Sequence, residues 1–133
     1  MSKNYLAKII ARDNEGLQTI SAYCSEAKIK LKEIKYLSNN QIFLISLERF
    51  SKEDDNLNKK INSICKFEYV NKVKSKNINQ KNLELTLELL AIDLLKNNNN
   101  YEINLIFSHN AYITLSTEVV EVTLEDQNYN TND

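Results

Sequence analysis

The sequence has a single glycine, Gly16, and no proline or tryptophan. One glycine excludes the glycine-rich phosphate cradle and the dinucleotide fingerprint, which need several close backbone approaches. The lone histidine, His109, has neither a second histidine nor a nearby cysteine, so no zinc site and no catalytic triad assembles around it. The two cysteines, Cys24 and Cys65, are far apart and show no C-x-x-C spacing. They read as buried thiols of a reducing compartment, with a disulfide or redox pair as the alternative. Apolar runs are short, as in "LLAI" at 89–92, whereas a membrane-spanning helix needs ~20 apolar residues. The N-terminal "MSKNYLAKII" lacks the sustained apolar segment of a secretory signal, so a cytoplasmic protein is expected. Charge is balanced as well. A net charge of −1 and a pI near 5.9 give no global field toward nucleic acid or anionic lipid.

What is present points to one folded domain. The 133 residues suffice for a single core, 42% of them are hydrophobic, and the mean hydropathy is −0.47. Asparagine is abundant, and because it tolerates positive φ, its clusters are read as turns.

"YLAKIIARD" (5–13) is β-branched and reads as a strand. The period then changes over 13–27. Asp13 suits an N-cap, Glu15 the positive first turn, and Leu17, Ile20, Cys24 and Ala27 share one helical face. Residues 28–50 read as a hairpin with a tight turn at Asn39-Asn40, pairing Tyr36 with Phe43 and Ile34 with Ile45. A β-bulge past Glu33 would bring Leu31 opposite Leu47. A polar loop follows at 51–60, where Asp54 and Asp55 are weak metal-ligand candidates. Residues 61–76 and 82–96 read as long strands, the second by leucine alternation with a helix as the rival reading, and Asn97 to Asn100 as a turn. In 101–116, a three-residue connection at Ser108-His109-Asn110 would pair Phe107 with Ala111, Leu105 with Ile113 and Ile103 with Leu115. Residues 117–126 continue as strand or a short turn, and 127–133 form a polar, frayed tail.

The expected architecture is α+β: a curved, mostly antiparallel sheet of about seven strands with one main helix near the N-terminus. A roll or a partly closed, pleckstrin-homology-like barrel fits, in a single domain over 1–126.

The conspicuous chemical feature is a basic comb, Lys72, Lys74 and Lys76, with Lys66 upstream. These four are the candidate anion-binding residues. A base-stacking surface needs aromatics and cations on one face. Alternation instead sends Phe67, Tyr69 and Val73 away from the lysines. If 61–76 pairs with 82–96, Lys76 opposes Glu84, Lys74 opposes Thr86 and Lys72 opposes Glu88. The comb is then one half of a charge-matched hairpin, each pair stabilising by only ~0.2–1 kcal/mol. Serines such as Ser21 and Ser46 lack a nucleophile elbow. No catalytic, cofactor-binding or metal-binding residue is assigned.

The segments "IIARDNEGLQTISAYCSEAKIKLKEIKYLSNNQIFLISLERF", "CKFEYVNKVKSKNI", "LELLAIDL" and "EINLIFSHNAYITLSTEVVEVTLED" together resemble an uncharacterised, chiefly alphaproteobacterial family, domain of unknown function 2948. The resemblance runs from Leu6 to Asp126. Its strongest markers are the first strand-to-helix passage, "RF" at 49–50 and "FEYVNKVKSKNI", where relatives are similarly basic. Relatives carry glycines where this chain has "SHNA". The resemblance implies a small cytosolic protein and brings no activity, cofactor or catalytic residue with it. The leading functional expectation is a non-enzymatic binding or scaffolding module with a protein partner, itself as a homodimer included. The alternatives are a nucleic-acid or anion binder using the comb, and an enzyme whose site is spread over distant residues.

Overall fold

The computed structural model describes residues 6–51 and 59–130. In chain order the elements are β1 (Lys8–Ala11), α1 (Asn14–Tyr23), β2 (Ala27–Lys30), β3 (Ile34–Leu37), β4 (Ile42–Phe50) and β5 (Lys60–Phe67). They continue with β6 (Val70–Lys76), β7 (Thr86–Asn97), β8 (Asn100–Phe107), β9 (Ala111–Thr117) and β10 (Val122–Asn130). The strands form one antiparallel sheet in the order β1-β10-β5-β4-β2-β7-β8-β9-β6, with β3 also paired to β4. The α+β class and the N-terminal helix agree with the sequence reading. The strand count of ten replaces the expected seven.

Three local breaks account for the difference. A 3-10 turn at Leu31–Glu33 splits the expected strand 28–37 into β2 and β3, in place of the expected bulge that set Leu31 against Leu47. The strand 61–76 is cut at Tyr69, whose φ of 60° turns the chain between β5 and β6. Residues 117–126 do not simply extend β9. They reverse and form β10, which runs on through Asn130 against Asn62, Ile61 and Lys60 instead of fraying from residue 127.

Local pairing follows the sequence closely. Ile34 opposes Ile45 and Tyr36 opposes Phe43. The loop between them is not a two-residue primed turn, because Ser38 to Gln41 all lie outside the strands and Gln41 takes the positive φ of 57°. Phe107 opposes Ala111, Leu105 opposes Ile113 and Ile103 opposes Leu115. That turn has positive φ at His109 and Asn110, a conformation for which asparagine is well suited.

Helix α1 forms as its caps dictate. The Asp13 carboxylate accepts from the Gly16 amide at 2.8 Å, and Leu17 and Ile20 are buried, as are Cys24 and Ala27 beyond the helix. Gly16 is there for closeness, since a Cβ would sit 3.0 Å from the Ala11 Cα. The helix closes a gap in the sheet. Strand β2 covers β7 only from Thr86 to Leu89. Beyond that point the Ile92 amide donates to Ser21 Oγ at 2.9 Å, and the Ile92 carbonyl accepts from Gln18 Nε2.

The inner faces of the strands supply the core, with Phe43 and Phe67 packed edge to face at 6.0 Å. Within the core lies an ion pair. Arg49 Nη2 donates to Asp126 Oδ2 at 2.7 Å and Arg49 Nε to Oδ1 at 3.0 Å, and neither side chain reaches solvent. Ser63 Oγ donates to Asp126 Oδ1, the Ala7 amide to Oδ2, and the guanidinium lies 5.0 Å from the Tyr23 ring centre. Burial pushes the Asp126 carboxyl up. The hydrogen bonds from Arg49, Ser63 and Ala7, with the guanidinium charge, outweigh this and hold it below the usual carboxylate range.

An Asp126→Asn variant removes the buried negative charge that the Arg49 guanidinium binds through two nitrogens. It should lose about 3–5 kcal/mol of stability at pH 7, measured by urea unfolding. Because the folded-state pKa is depressed, the carboxylate's contribution is complete well above the unfolded value of about 3.9 and disappears as pH falls through the lower folded value. Wild type should therefore lose more stability between about pH 5 and pH 2 than the variant does.

Candidate functional site

The comb sits on β6, and β6 is the last strand of the sheet. Its one partner is β9, with Lys72 opposite Ser116, Lys74 opposite Thr114 and Lys76 opposite Tyr112. The expected pairing with 82–96 does not occur. Glu88 opposes Lys28 and lies 3.4 Å from its ammonium, and Glu84 lies 3.4 Å from Lys32. The charge-matched hairpin exists, but β2 and the turn after it supply the lysines. Among the described residues no carboxylate lies within 4.0 Å of Lys72, Lys74 or Lys76. The comb is not neutralised.

Lys66 does not join it. This residue lies on β5, between β4 and β10, with Glu68 at 3.8 Å. Its surroundings include Glu121 and Glu125, so the structure separates the fourth candidate from the other three.

The sheet curls until β6 approaches the turn between β3 and β4. There the Val70 amide donates to the Gln41 carbonyl at 2.8 Å, and Tyr36 Oη donates to the Val70 carbonyl at 2.8 Å. Past this clasp the two edges separate and never pair, so the sheet remains open. The seam holds a cleft of about 310 Å³ lined by Leu31, Ile34, Phe43, Val73, Leu83 and Ile113, with Ser75 and Gln80 as polar elements. Val73 and Ser75 line the cleft from β6, and the lysines project from the opposite face of the same strand. The segment after β6 forms a further wall, held where the Leu31 amide donates to the Leu85 carbonyl at 2.8 Å.

Tyr69, expected to face inward, is half exposed at the start of β6. Its left-handed backbone is rare for an aromatic residue and is fixed from both sides. The Glu68 amide donates to the Glu121 carbonyl, and the Val70 amide to Gln41.

The other candidates resolve simply. His109 is exposed at its hairpin tip, with Nδ1 3.2 Å from Ser108 Oγ. Cys24 and Cys65 are buried and not disulfide-bonded, and burial, with Cys24 nearby, pushes the Cys65 thiol well above its ordinary range. Asp54 and Asp55 lie outside the described residues. No group of three or more metal-ligating side chains occurs among the described residues, and none of their helices is long and apolar enough to cross a membrane.

A family model for proteins of unknown function, DUF2948, matches residues 7–132. The chain belongs to that family. No curated protein and no solved structure matches it. In this DUF2948 chain the seam residues are not legible from sequence, because the register that sets Lys72 opposite Glu88 and Lys74 opposite Thr86 also places Val73 opposite Leu87 and so covers it. A usable signal was available: alternate lysines on one strand are a common way to guard an unpaired sheet edge.

Two outcomes follow. Tyr69→Gly should be more stable than Tyr69→Ala by about 0.5–1 kcal/mol in urea unfolding, since both lose the ring and only glycine takes this φ without strain. Lys72→Ala and Lys76→Ala should change stability by less than about 0.5 kcal/mol, whereas Lys28→Ala, which loses Glu88, should cost up to about 1 kcal/mol.

Proposed function

We propose that this DUF2948 chain is a non-enzymatic, cytoplasmic binding module that holds a segment of another protein along the free edge of β6. The observation that carries this reading is the coincidence of an unpaired strand edge with an apolar cleft on its inner face. An unpaired edge offers main-chain donors and acceptors to an extended chain, and the cleft offers side-chain pockets. The surface is also built for contact at low cost, because the clasp at Val70 already fixes one end of β6.

A nucleic-acid interface finds less support. The three lysines stand on one exposed strand; among the described residues the exposed aromatic on that strand's approach is Tyr69, and half-buried Tyr112 lies opposite Lys76 alone. Single-stranded nucleic acid is bound by aromatic platforms alternating with cations. An enzyme finds no support in the seam, whose lining holds no acid, base or thiol.

A photo-crosslinking residue at Ser75 in the full chain, expressed in its native cells, should capture protein that survives nuclease treatment. The same residue at Ile10, exposed on the opposite edge strand, should not. Absence of an adduct at Ser75, or its loss with nuclease, would reject this reading.

A further inference from the structure

The seam also specifies what kind of segment it takes, an inference that rests on the reading just given. A chain added to β6 presents alternate side chains to opposite faces of the sheet. On one face these meet Lys72, Lys74 and Lys76, spaced two residues apart and without a carboxylate in reach among the described residues. On the other they pass over Val73 and Ser75 into the cleft of about 310 Å³ floored by Phe43 and Ile113. We infer that the occupant is an extended strand with carboxylate side chains at alternate positions and aliphatic side chains between them.

Charge complementarity decides between this occupant and a second copy of the chain. Two β6 edges paired antiparallel, with both inner faces on one side, set lysine opposite lysine in every register that overlaps them by more than three residues. Like charges directly opposite are destabilising. An acidic strand turns the same rungs into oppositely charged pairs. The period matters as much as the sign, because a block of acids followed by a block of leucines would put charge over the cleft.

The same alternation exists inside this fold. Along β7, Leu87 and Leu89 face the core while Glu88 faces Lys28 of β2. The β2–β7 contact is thus an internal example of a basic strand joined to an acidic, aliphatic one. Strand β6 has the lysines and the apolar floor but lacks the partner.

The test uses the full chain and two labelled synthetic peptides of identical composition. One alternates leucine and glutamate; the other places the same residues in blocks. The alternating peptide should bind saturably, protect β6 amides from hydrogen exchange, and bind at least about tenfold more tightly than the block peptide. Lys72→Glu/Lys74→Glu/Lys76→Glu should weaken it by about tenfold or more. A peptide with lysine in place of glutamate should recover binding to that triple variant. This charge-swap rescue separates a local contact from misfolding. Equal binding of the two peptides, or binding indifferent to the triple substitution, would overturn the inference. So would lysine-dependent binding of single-stranded RNA in preference to the alternating peptide. If Ser75 crosslinks a protein in cells but the alternating peptide does not bind, the occupant is wrong and the module stands. If neither occurs, both fail.

Discussion

The ion pair between Arg49 and Asp126 is the constraint on which the remaining architecture turns. Five parts of the chain meet there: β4 through Arg49, β10 through Asp126, β5 through Ser63, α1 through Tyr23, and the segment before β1 through the Ala7 amide. Burying two charges is costly, and a hydrophobic replacement of both is often as stable. The pair's larger effect is on specificity. A bidentate guanidinium admits one placement of the carboxylate. That placement aligns β10 beside β5 just where the ladder shifts between Asp126 and Asn128. It also anchors β1, because the Asp126 amide returns a hydrogen bond to the Ala7 carbonyl at 2.9 Å. One half of the sheet is thereby fixed around a buried polar hub.

The other half is held differently, and the contrast explains why the seam lies where it does. From β7 to β9 the strands are joined by successive hairpins, β6 is added to β9 without one, and the inner faces are apolar, with no buried charge among the described residues to set the end of the series. The curl of the sheet brings β6 back toward β3, but β3 is only four residues long and the 3-10 turn at Leu31–Glu33 leads the chain away. Two edges therefore approach without a common register. Val70 bridges them at one end through Gln41 and Tyr36. Beyond it the inner faces of Phe43, Val73 and Ile113 are left with a cleft between them. Tyr69 is the hinge of this arrangement. Its left-handed backbone separates β5, committed to the polar hub, from β6, committed to the far end of the sheet.

Short-range structure was legible in the sequence, and the reason is physical. The pairings of Tyr36 with Phe43 and of Phe107 with Ala111 depend on turns a few residues long, where loop length and alternation leave one register. The helix was legible for the same reason, from Asp13 and the spacing of Leu17, Ile20 and Cys24. Long-range choice was not. Strand β6 satisfies alternation equally against Glu84, Thr86 and Glu88 or against Tyr112, Thr114 and Ser116. What decides is competition: Lys28 and Lys32 take Glu88 and Glu84, and β8 and β2 occupy the two sides of β7. Such a decision involves four segments at once and leaves no mark on any one of them. The break at Tyr69 was hidden too, because an aromatic residue inside an apparent strand normally argues for its continuation.

The lysine comb thereby acquires a meaning that neither a phosphate grip nor a neutralised hairpin supplies. An edge strand beside an apolar cleft would ordinarily invite pairing with any extended chain, copies of itself included. Three lysines on the outer face remove that indiscriminate character, because they repel a second β6 and resist desolvation by an uncharged strand. They do not close the edge. They leave it open to a chain whose carboxylates fall at the same two-residue interval and whose aliphatic side chains reach the cleft. On the proposed reading, the lysines that oppose pairing of two β6 edges are also what selects a partner, since opposite charge at matched spacing is the condition under which the edge becomes favourable to cover.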